Sequence, residues 1–133
     1  MPHWPELSVD VRAELESALE GPITVDITTI GRASGKLRRI EIWIVNIDGR
    51  VIICGTPRPR PRDWLANLVQ DSRLVVHFKE VTSTDVDATA TEVTDPTTRR
   101  AVWHHRSTEW YRSRTPVDTL IAAGPVVELT WIS

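Results

Sequence analysis

The fold is decided by one apolar stretch, Ile40-Glu-Ile-Trp-Ile-Val-Asn-Ile47, which continues through Asp48-Gly49 into Arg50-Val-Ile-Ile-Cys54. Apolar side chains alternate onto both faces of the strand predicted over 39–47, so both of its faces must be covered. Asp-Gly is a preferred loop of two-residue β-hairpins, which predicts that the second segment returns as a paired strand over 50–55. This hairpin is the centre around which the other elements are arranged.

Hydrophobic periodicity elsewhere predicts a β-rich chain with short helices. In the first helix Leu7, Val11 and Leu15 define the apolar face, whereas Glu14 and Glu16 are expected to face water. Six mostly antiparallel strands in so short a chain indicate a mainly β (α+β) fold, a closed barrel with helices at its openings rather than a sandwich. Further strands are expected over about 22–30, 73–79, 86–93 and 126–132, and helices over 7–20, 62–70, 95–106 and, broken at Pro116, 108–122.

Length and composition set the class of protein. The 133 residues suit one domain over 1–133, with an N-terminal helix within 1–21. Hydrophobic residues make up 41% and charged residues 26%, as in soluble globular proteins. No apolar run approaches the roughly 20 residues of a membrane span, and the N-terminus does not resemble a secretory signal. Cys54 alone cannot form an internal disulfide, and together these features predict a cytoplasmic protein.

The net charge of −2 conceals a strong segregation along the chain. Residues 31–62 carry a net charge of +6, whereas residues 1–30 and 63–98 each carry −5. An excess of arginine over lysine explains part of the composition but not why half of the bases fall in one quarter of the chain. The basic central block therefore has to be explained by the function.

Two loops at the same end of the hairpin carry most of this block. The Gly31–Lys36 loop lacks the spacing of a nucleotide-binding P-loop and joins two strands rather than a strand and a helix. It can instead hold a phosphate through charge-assisted hydrogen bonds, the alternative being a solvated basic loop. The 56–62 loop alternates proline with arginine and leads into a helix N-terminus, a place that favours anions. It is therefore a second candidate anion site, and the alternative is a rigid connector. The candidate phosphate ligands in the first loop are Arg32, Ser34, Lys36 and Arg38.

Other reactive side chains carry weaker signals. Neighbouring residues on a helix point about 100° apart, so His104 and His105 do not form a two-ligand metal face, and we expect no metal site. His77 is expected to be a hydrogen-bonded strand residue and Cys54 a core residue. The Trp110–Tyr111 pair is interpreted either as packing of the last helix or as the wall of a substrate or cofactor site.

The segment Thr28-Thr-Ile-Gly-Arg-Ala-Ser-Gly-Lys-Leu-Arg38 resembles the T-T-x-G-R-x-S-G-x-x-R signature of the deazaflavin-dependent nitroreductase and quinone reductase family. Trp64-Leu-Ala-Asn-Leu68 is similar to the aromatic-x-x-Asn-Leu helix of that family. Weaker matches occur at 71–73 and 93–96, so that the resemblance covers about residues 20–133.

The resemblance implies an FMN-binding-type split β-barrel, a homodimer, and binding of the deazaflavin coenzyme F420. Members transfer a hydride between the reduced coenzyme and a quinone, nitro compound or enone, and the coenzyme supplies the reactive atoms. Carried over to this sequence, Arg32, Ser34, Lys36 and Arg38 contact the phosphate or acidic tail. Thr56, Pro57 and Arg58 line the deazaflavin, Arg62, Trp64 and Asn67 support it, and Tyr111 donates a proton at the substrate end.

One departure from the family keeps other readings open. Arg58 and Arg60 stand between prolines where members of the family often have glycines, which leaves FMN or a tetrapyrrole as alternative ligands. A cofactor-binding or sequestering protein without turnover is a second hypothesis. A nucleic-acid-binding barrel is disfavoured because few aromatic residues alternate with the bases and the pI is about 6.1. We therefore expect a small-molecule cofactor and substrate, and no nucleic acid partner.

Overall fold

Alternating apolar side chains place six strands around one barrel in this computed structural model, which describes residue 4 and residues 7–17, 21–60 and 62–132. The strands are β1 (Ile23–Ile30), β2 (Leu37–Ile47), β3 (Arg50–Cys54), β4 (Arg73–Phe78), β5 (Thr84–Glu92) and β6 (Val126–Trp131). The helices are α1 (Val9–Ser17), α2 (Asp63–Gln70), α3 (Pro96–His104), α4 (Glu109–Arg112) and α5 (Val117–Ala123), with a 3-10 turn at Arg106–Thr108. The strand order is β1-β2-β3-β6-β5-β4, all antiparallel, and β4 closes the barrel on β1. The predicted antiparallel six-stranded barrel is confirmed.

The central hairpin forms as its Asp-Gly signal predicts. Ile47 pairs directly with Arg50, and the two loop residues Asp48 and Gly49 have φ angles of 53° and 93°. Positive φ at both positions is the geometry of a type I′ turn, whose twist matches that of the flanking strands. The buried Asn46 side chain accepts a hydrogen bond from the Gly49 amide at 2.8 Å, which holds the turn closed.

One apolar core fills the barrel. The inward side chains of β1 pair with those of β2, for example Ile23 with Ile44 and Val25 with Ile42. Trp64 and Leu68 of α2 and the buried face of α1 complete this core. Its largest fully buried members are Phe78, Leu15, Ile27, Ile44 and Ile53.

A second core lies on the outer surface of the barrel, where α3, α4 and α5 cover the end of β2 with β3 and β6. Val45, Ile47 and Ile52 pack there against Trp103 and Leu120. The predicted break at Pro116 is confirmed, because this residue is the N-cap of α5. The expected coverage of both faces of 39–47 holds only for residues 44–47. Residues 37–43 are largely exposed, with Leu37 at 72%, Ile40 at 37% and Trp43 at 36%.

Helix α1 corrects one expectation. Ser8 caps it by accepting a hydrogen bond from the Val11 amide at 3.3 Å, and Val11 and Leu15 are fully buried as expected. Glu14, expected in water, is instead fully buried. Its Oε1 accepts hydrogen bonds from the amides of Val81 and Thr82, so a loop between strands provides the donors that water was expected to provide. The end of the helix predicted over 7–20, residues 18–20, lies outside the described residues.

The remaining boundaries differ from the predicted ones by a few residues. β2 begins at Leu37 rather than 39 and β5 at Thr84 rather than 86, because Leu37 still pairs with Ile30 of β1 and Thr84 with Phe78 of β4. The third helix ends at His104, where the chain turns into the 3-10 segment. These shifts do not alter which loops meet at the end of the hairpin.

Candidate functional site

The barrel is split along one edge of β2. β3 pairs only with residues 45–47 of β2, and the chain leaves the sheet after Cys54. Residues 37–44 therefore pair with β1 but have no strand partner on their other edge within the described sheet. A groove of about 840 Å³ lies at this split. Its walls include Ile40, Ile42, Trp43, Thr56, Pro57, Arg58, Arg62, Trp64, Trp110, Tyr111 and Arg114.

Tyr111 and Cys54 meet where the groove adjoins the second core. Tyr111 is 6% exposed, and its hydroxyl hydrogen-bonds with the Cys54 thiol. Burial raises the pKa of Cys54 to about 12 and also raises the pKa of Tyr111 above its ordinary value. Both groups are therefore protonated at neutral pH. A buried thiol with so high a pKa is a poor nucleophile, which agrees with its expected role in the core.

Arg62 fixes the start of the Pro-Arg loop. Its guanidinium lies over Gly55, where an added Cβ would come within 3.0 Å of the guanidinium carbon. Its Nη2 donates to the Thr56 hydroxyl at 3.4 Å, and the Gly55 amide donates to the Pro125 carbonyl at 3.2 Å. Partial burial lowers the pKa of Arg62, and a guanidinium still remains charged. The loop thus presents a cation directly beside Tyr111.

The 31–38 turn forms a smaller cavity of about 410 Å³ next to the groove. Gly35 has a φ of 70°, and the Gly31 amide donates to the Lys36 carbonyl, which closes the turn. The two cavities share three lining residues, Ile40, Asp63 and Trp64. They therefore adjoin one another along β2 and the start of α2.

Asn67 anchors this turn to α2. The side chain is 4% exposed and its Oδ1 accepts from both the backbone amide of Arg32, at 3.1 Å, and the Arg32 guanidinium, at 3.0 Å. Asn67 also donates to the Thr29 hydroxyl at 3.2 Å. The Arg32 guanidinium additionally pairs with Asp63 at 3.3 Å. Arg32 thus joins the turn to the helix in addition to lining the cavity.

The other polar residues of the turn form fewer hydrogen bonds and ion pairs than Arg32. The Ser34 hydroxyl accepts a hydrogen bond from the Lys36 amide at 3.1 Å. Lys36 and Arg38 are exposed, and within the described part of the chain neither forms an ion pair with a carboxylate. Ser34 and Arg38 line the smaller cavity, whereas Lys36 lies on the same turn without lining either one.

The structure therefore places the predicted residues in two adjoining groups. Trp64 lines both cavities. The groove contains Thr56, Pro57, Arg58, Arg62, Trp64 and Tyr111, and the smaller cavity contains Arg32, Ser34, Arg38, Trp64 and Asn67.

Sequence reasoning offered Trp110 and Tyr111 as a possible wall of a site but missed Trp43 as its third aromatic member. The Trp43 ring meets the Trp110 ring edge to face with centroids 5.1 Å apart, and Tyr111 stands 5.2 Å from Trp110. Trp43 was placed in a covered core strand, because its neighbours in sequence are apolar. A tryptophan on the unpaired half of a strand was the available signal, but only the end of β3 at Cys54 shows which half is unpaired.

Two arginines outside the basic block stabilise the fold by donating hydrogen bonds to backbone carbonyls. The Arg99 guanidinium donates to the carbonyls of Val93, Leu120, Ile121 and Gly124, which fixes the end of α5. Arg112 donates in the same way to the carbonyls of Trp103 and His105. The richness in arginine therefore includes structural cations as well as those at the cavities.

Two of the described histidines, His77 and His105, form hydrogen bonds with neighbours. His77 Nε2 lies 2.7 Å from the Thr28 hydroxyl and Nδ1 lies 2.8 Å from Asp85, as expected of a hydrogen-bonded strand residue. His105 Nδ1 accepts from the Ser107 amide at 3.1 Å. Among the described residues, no three histidine, cysteine or carboxylate side chains form a group able to hold a metal ion. No helix in the same part of the chain is long and apolar enough to cross a membrane.

Solved structures share this barrel. An F420-H2 dependent reductase, FDR-A, is 20% identical with a TM-score of 0.56, covering 80% of this chain and 93% of that one. A protein from Clostridium acetobutylicum related to general stress protein 26, of the pyridoxinephosphate oxidase family, is 13% identical with a TM-score of 0.65, covering 91% and 81%. An FAD-binding protein from Mesorhizobium loti is 14% identical with a TM-score of 0.60, covering 96% and 91%. At these identities the likeness establishes the fold, a split barrel of the flavin-binding type.

Sequence comparison identifies the family. No curated protein sequence matches the chain. The model of one family, described as F420H(2)-dependent quinone reductase, matches residues 7–122 and so spans most of the chain. The match includes the 31–38 turn, the Pro-Arg loop and Tyr111. The chain therefore belongs to the F420H(2)-dependent quinone reductase family.

Proposed function

We propose that the groove at the split of the barrel binds coenzyme F420 and that the protein transfers a hydride from the reduced coenzyme to a small quinone. Membership of the family supports a deazaflavin-dependent reductase activity. The observation that carries the proposal is the union of the groove with the smaller cavity at the basic turn. Coenzyme F420 has a flat deazaflavin ring and an anionic extension. It therefore needs an apolar groove for the ring and an adjoining basic cavity for the extension.

The residues present fit the coenzyme. The groove volume of about 840 Å³ lies in the range of small-molecule sites, and its walls combine apolar β2 side chains with backbone of the Gly55–Pro57 segment. The absence of a Cβ at Gly55 leaves room for the Arg62 guanidinium against the backbone. Lys36 and Arg38, which have no carboxylate partners among the described residues, suit the phosphate and the acidic tail.

In this arrangement the chain binds and orients while the cofactor carries the redox chemistry. The bound reduced coenzyme supplies a hydride, and the quinone gains this hydride and one proton to become a hydroquinone. Tyr111 keeps its proton at neutral pH because burial raises its pKa. Tyr111 lines the groove, and after a movement that frees its hydroxyl from Cys54 it can donate a hydrogen bond or the proton to the acceptor oxygen.

The test is direct titration of the protein with F420 and, separately, with FMN, followed by fluorescence. We expect saturable binding of F420 and oxidation of its reduced form when a quinone is added. Absence of saturable F420 binding would refute the proposal, and saturable binding of FMN alone would assign the groove to a flavin. Nitro compounds and enones, assayed in parallel, establish how wide the range of acceptors is.

A second function is favoured by one observation. The Tyr111 hydroxyl is engaged with Cys54 and 94% of the residue's surface is covered, as its exposure of 6% shows, so proton donation requires a side-chain movement. A protein that binds the cofactor without turnover would show tight binding and no oxidation of reduced F420. Turnover with a quinone excludes this alternative.

We also propose a homodimer, supported by the exposed apolar side chains Leu37, Ile40 and Trp43 on β2. Sedimentation of the free protein and of the F420-bound protein tests it. A mass of one chain under both conditions would overturn this part of the proposal without affecting the assignment of the groove.

A further inference from the structure

The groove has an aromatic rim that binding of the cofactor does not by itself require. Trp110 is 42% exposed and Trp43 is 36% exposed, although both are large apolar side chains. Their rings are fixed edge to face at 5.1 Å, and Tyr111 supports both from below, with centroids 6.3 Å from Trp43 and 5.2 Å from Trp110. Exposed tryptophans held in place at a cavity are typical of surfaces that bind a planar ligand.

An arginine is held beside this rim. The Arg114 guanidinium carbon lies 3.9 Å from the centroid of the Trp110 ring, a cation–π arrangement. Its Nη1 donates to the Trp110 carbonyl at 3.1 Å and to the Ser113 hydroxyl at 2.8 Å. These bonds fix the plane of the guanidinium and leave Nε and Nη2 without a hydrogen bond to any described residue.

Three arginines line the groove, Arg58, Arg62 and Arg114, and Arg114 is the one stacked on a tryptophan of the rim. Glu41 and Asp63 are the carboxylates in the groove lining. Glu41 pairs with Lys79 at 2.5 Å, and Asp63 pairs with Arg32 at 3.3 Å. Arg114, like Arg58 and Arg62, pairs with no carboxylate among the described residues, so none of these carboxylates compensates its charge at the rim.

We propose that the Trp43–Trp110–Arg114 rim selects the acceptor, and that the preferred acceptor is a planar quinone carrying an anionic substituent such as a carboxylate. This inference rests on the proposed function and names the substrate class of the same groove. The tryptophan rings contact the planar quinone, and the free N–H groups of Arg114 donate to the carboxylate. Hydride and proton both add to the quinone, which becomes a hydroquinone, and the carboxylate is unchanged.

The test compares a naphthoquinone bearing a carboxylate on a saturated side chain with its methyl ester. The two have the same quinone and nearly the same potential but differ in charge. We expect kcat/KM with reduced F420 to be about tenfold to a hundredfold higher for the acid, as a charge-assisted hydrogen bond provides. Calorimetric titration of both compounds into the protein without coenzyme gives a second readout, in which the acid binds more tightly.

Variants show which residues cause the preference for the acid over the ester. Arg114→Gln is expected to bring the acid-to-ester ratio to about one, mainly through KM for the acid, and Arg114→Lys to retain part of it. Trp110→Ala is expected to raise KM for both compounds. Arg100→Gln, which removes an exposed arginine of α3 outside the groove lining, is the matched control and should leave the ratio unchanged.

The outcomes separate this inference from the function on which it rests. An equal kcat/KM for acid and ester in the wild type, or a ratio that Arg114→Gln leaves unchanged, overturns the rim proposal while turnover preserves the proposed function. No oxidation of reduced F420 with either compound overturns the proposed function instead. In that case a calorimetric preference for the acid that depends on Arg114 still supports the rim as a site for a planar anion, and its absence overturns it.

Discussion

The two halves of β2 both carry isoleucines, but their surroundings are opposite. Residues 44–47 are all buried, because 45–47 pair with 50–52 and helices cover their outer face. Residues 37–43 pair with β1 alone, and all but one of them are exposed. The same alternation of isoleucine therefore makes core where the sheet is complete and a groove wall where the sheet is split. What differs is the length of the neighbouring strand, and that length decides where the site lies.

The largest effect is expected from truncating an isoleucine in each half. Ile44 is fully buried, and Ile44→Ala should lower the free energy of unfolding by about 2–5 kcal/mol, through lost contacts and an enclosed cavity. Ile40 is 37% exposed and faces the groove, so Ile40→Ala should lower it by about half as much or less, since no enclosed cavity forms. Urea unfolding measures both values.

The affinity of the two variants for F420 provides a second measure of the difference between the halves of β2. Ile40→Ala should weaken the affinity for F420, whereas Ile44→Ala, under conditions where it is folded, should not. Equal losses of stability in the two variants would show that the outer half of β2 is buried in solution, for example by a second copy of the chain.

Two buried asparagines, Asn46 and Asn67, form hydrogen bonds near opposite ends of β2, and their variants are the next test. Asn46 donates to the Leu15 carbonyl at 2.9 Å, joining the covered half to α1, and Asn67 holds the turn that precedes the exposed half. Each alanine variant leaves buried polar groups unpaired and should lower stability by about 1–3 kcal/mol. Only Asn67→Ala should also weaken F420 binding, because it releases Arg32 and the turn. Unfolding and F420 titration of both variants measure this, and equal affinities would separate the turn from the site.

The contrast between the halves of β2 also marks how far the sequence could predict the molecule. The Asp48-Gly49 hairpin and the alternation of β1 are local signals, and both formed as expected. The contact of the Trp43 ring at the groove and the burial of Glu14 depend on partners more than 60 residues away in sequence, Trp110 and the 81–82 amides, which no local pattern specifies. The basic turn was found because charge is visible in sequence. Its junction with the groove was not, because it depends on where β3 ends.

A smaller effect is expected from removing the free cations that precede the exposed half. Lys36→Ala/Arg38→Ala should unfold like the wild type, because both side chains are exposed and form no ion pair within the described chain. Its affinity for F420 should fall about tenfold or more, and the salt dependence of binding should decrease. Fluorescence titration at two salt concentrations measures both quantities.

The matched control for that double variant is Arg12→Ala/Arg100→Ala, which removes two arginines that lie outside both cavities and form no ion pair with a described residue. It changes the net charge equally and should leave the affinity near that of the wild type. An unchanged affinity in Lys36→Ala/Arg38→Ala would move the phosphate site to the 56–62 loop.

The smallest effect concerns the solvent face of the exposed half, where Asp26 of β1 bridges to Lys79 at 2.7 Å and to Arg39 at 3.0 Å. The hydrogen bond from Lys79 and then that from Arg39 lower the pKa of this carboxyl below its ordinary value of 3.8. A carboxyl whose pKa is lower in the folded state stabilises the fold above its unfolded pKa, and this contribution is lost as the pH falls through the folded pKa.

The melting temperature of the wild type should therefore exceed that of Asp26→Asn by a small margin at pH 7, and the margin should shrink below about pH 4. Asp87→Asn, which removes an exposed carboxylate of β5 without an ion pair to the described residues, should show no such margin. A margin for Asp26→Asn that persists at pH 2–3 would mean that packing rather than charge fixes this face of the exposed half.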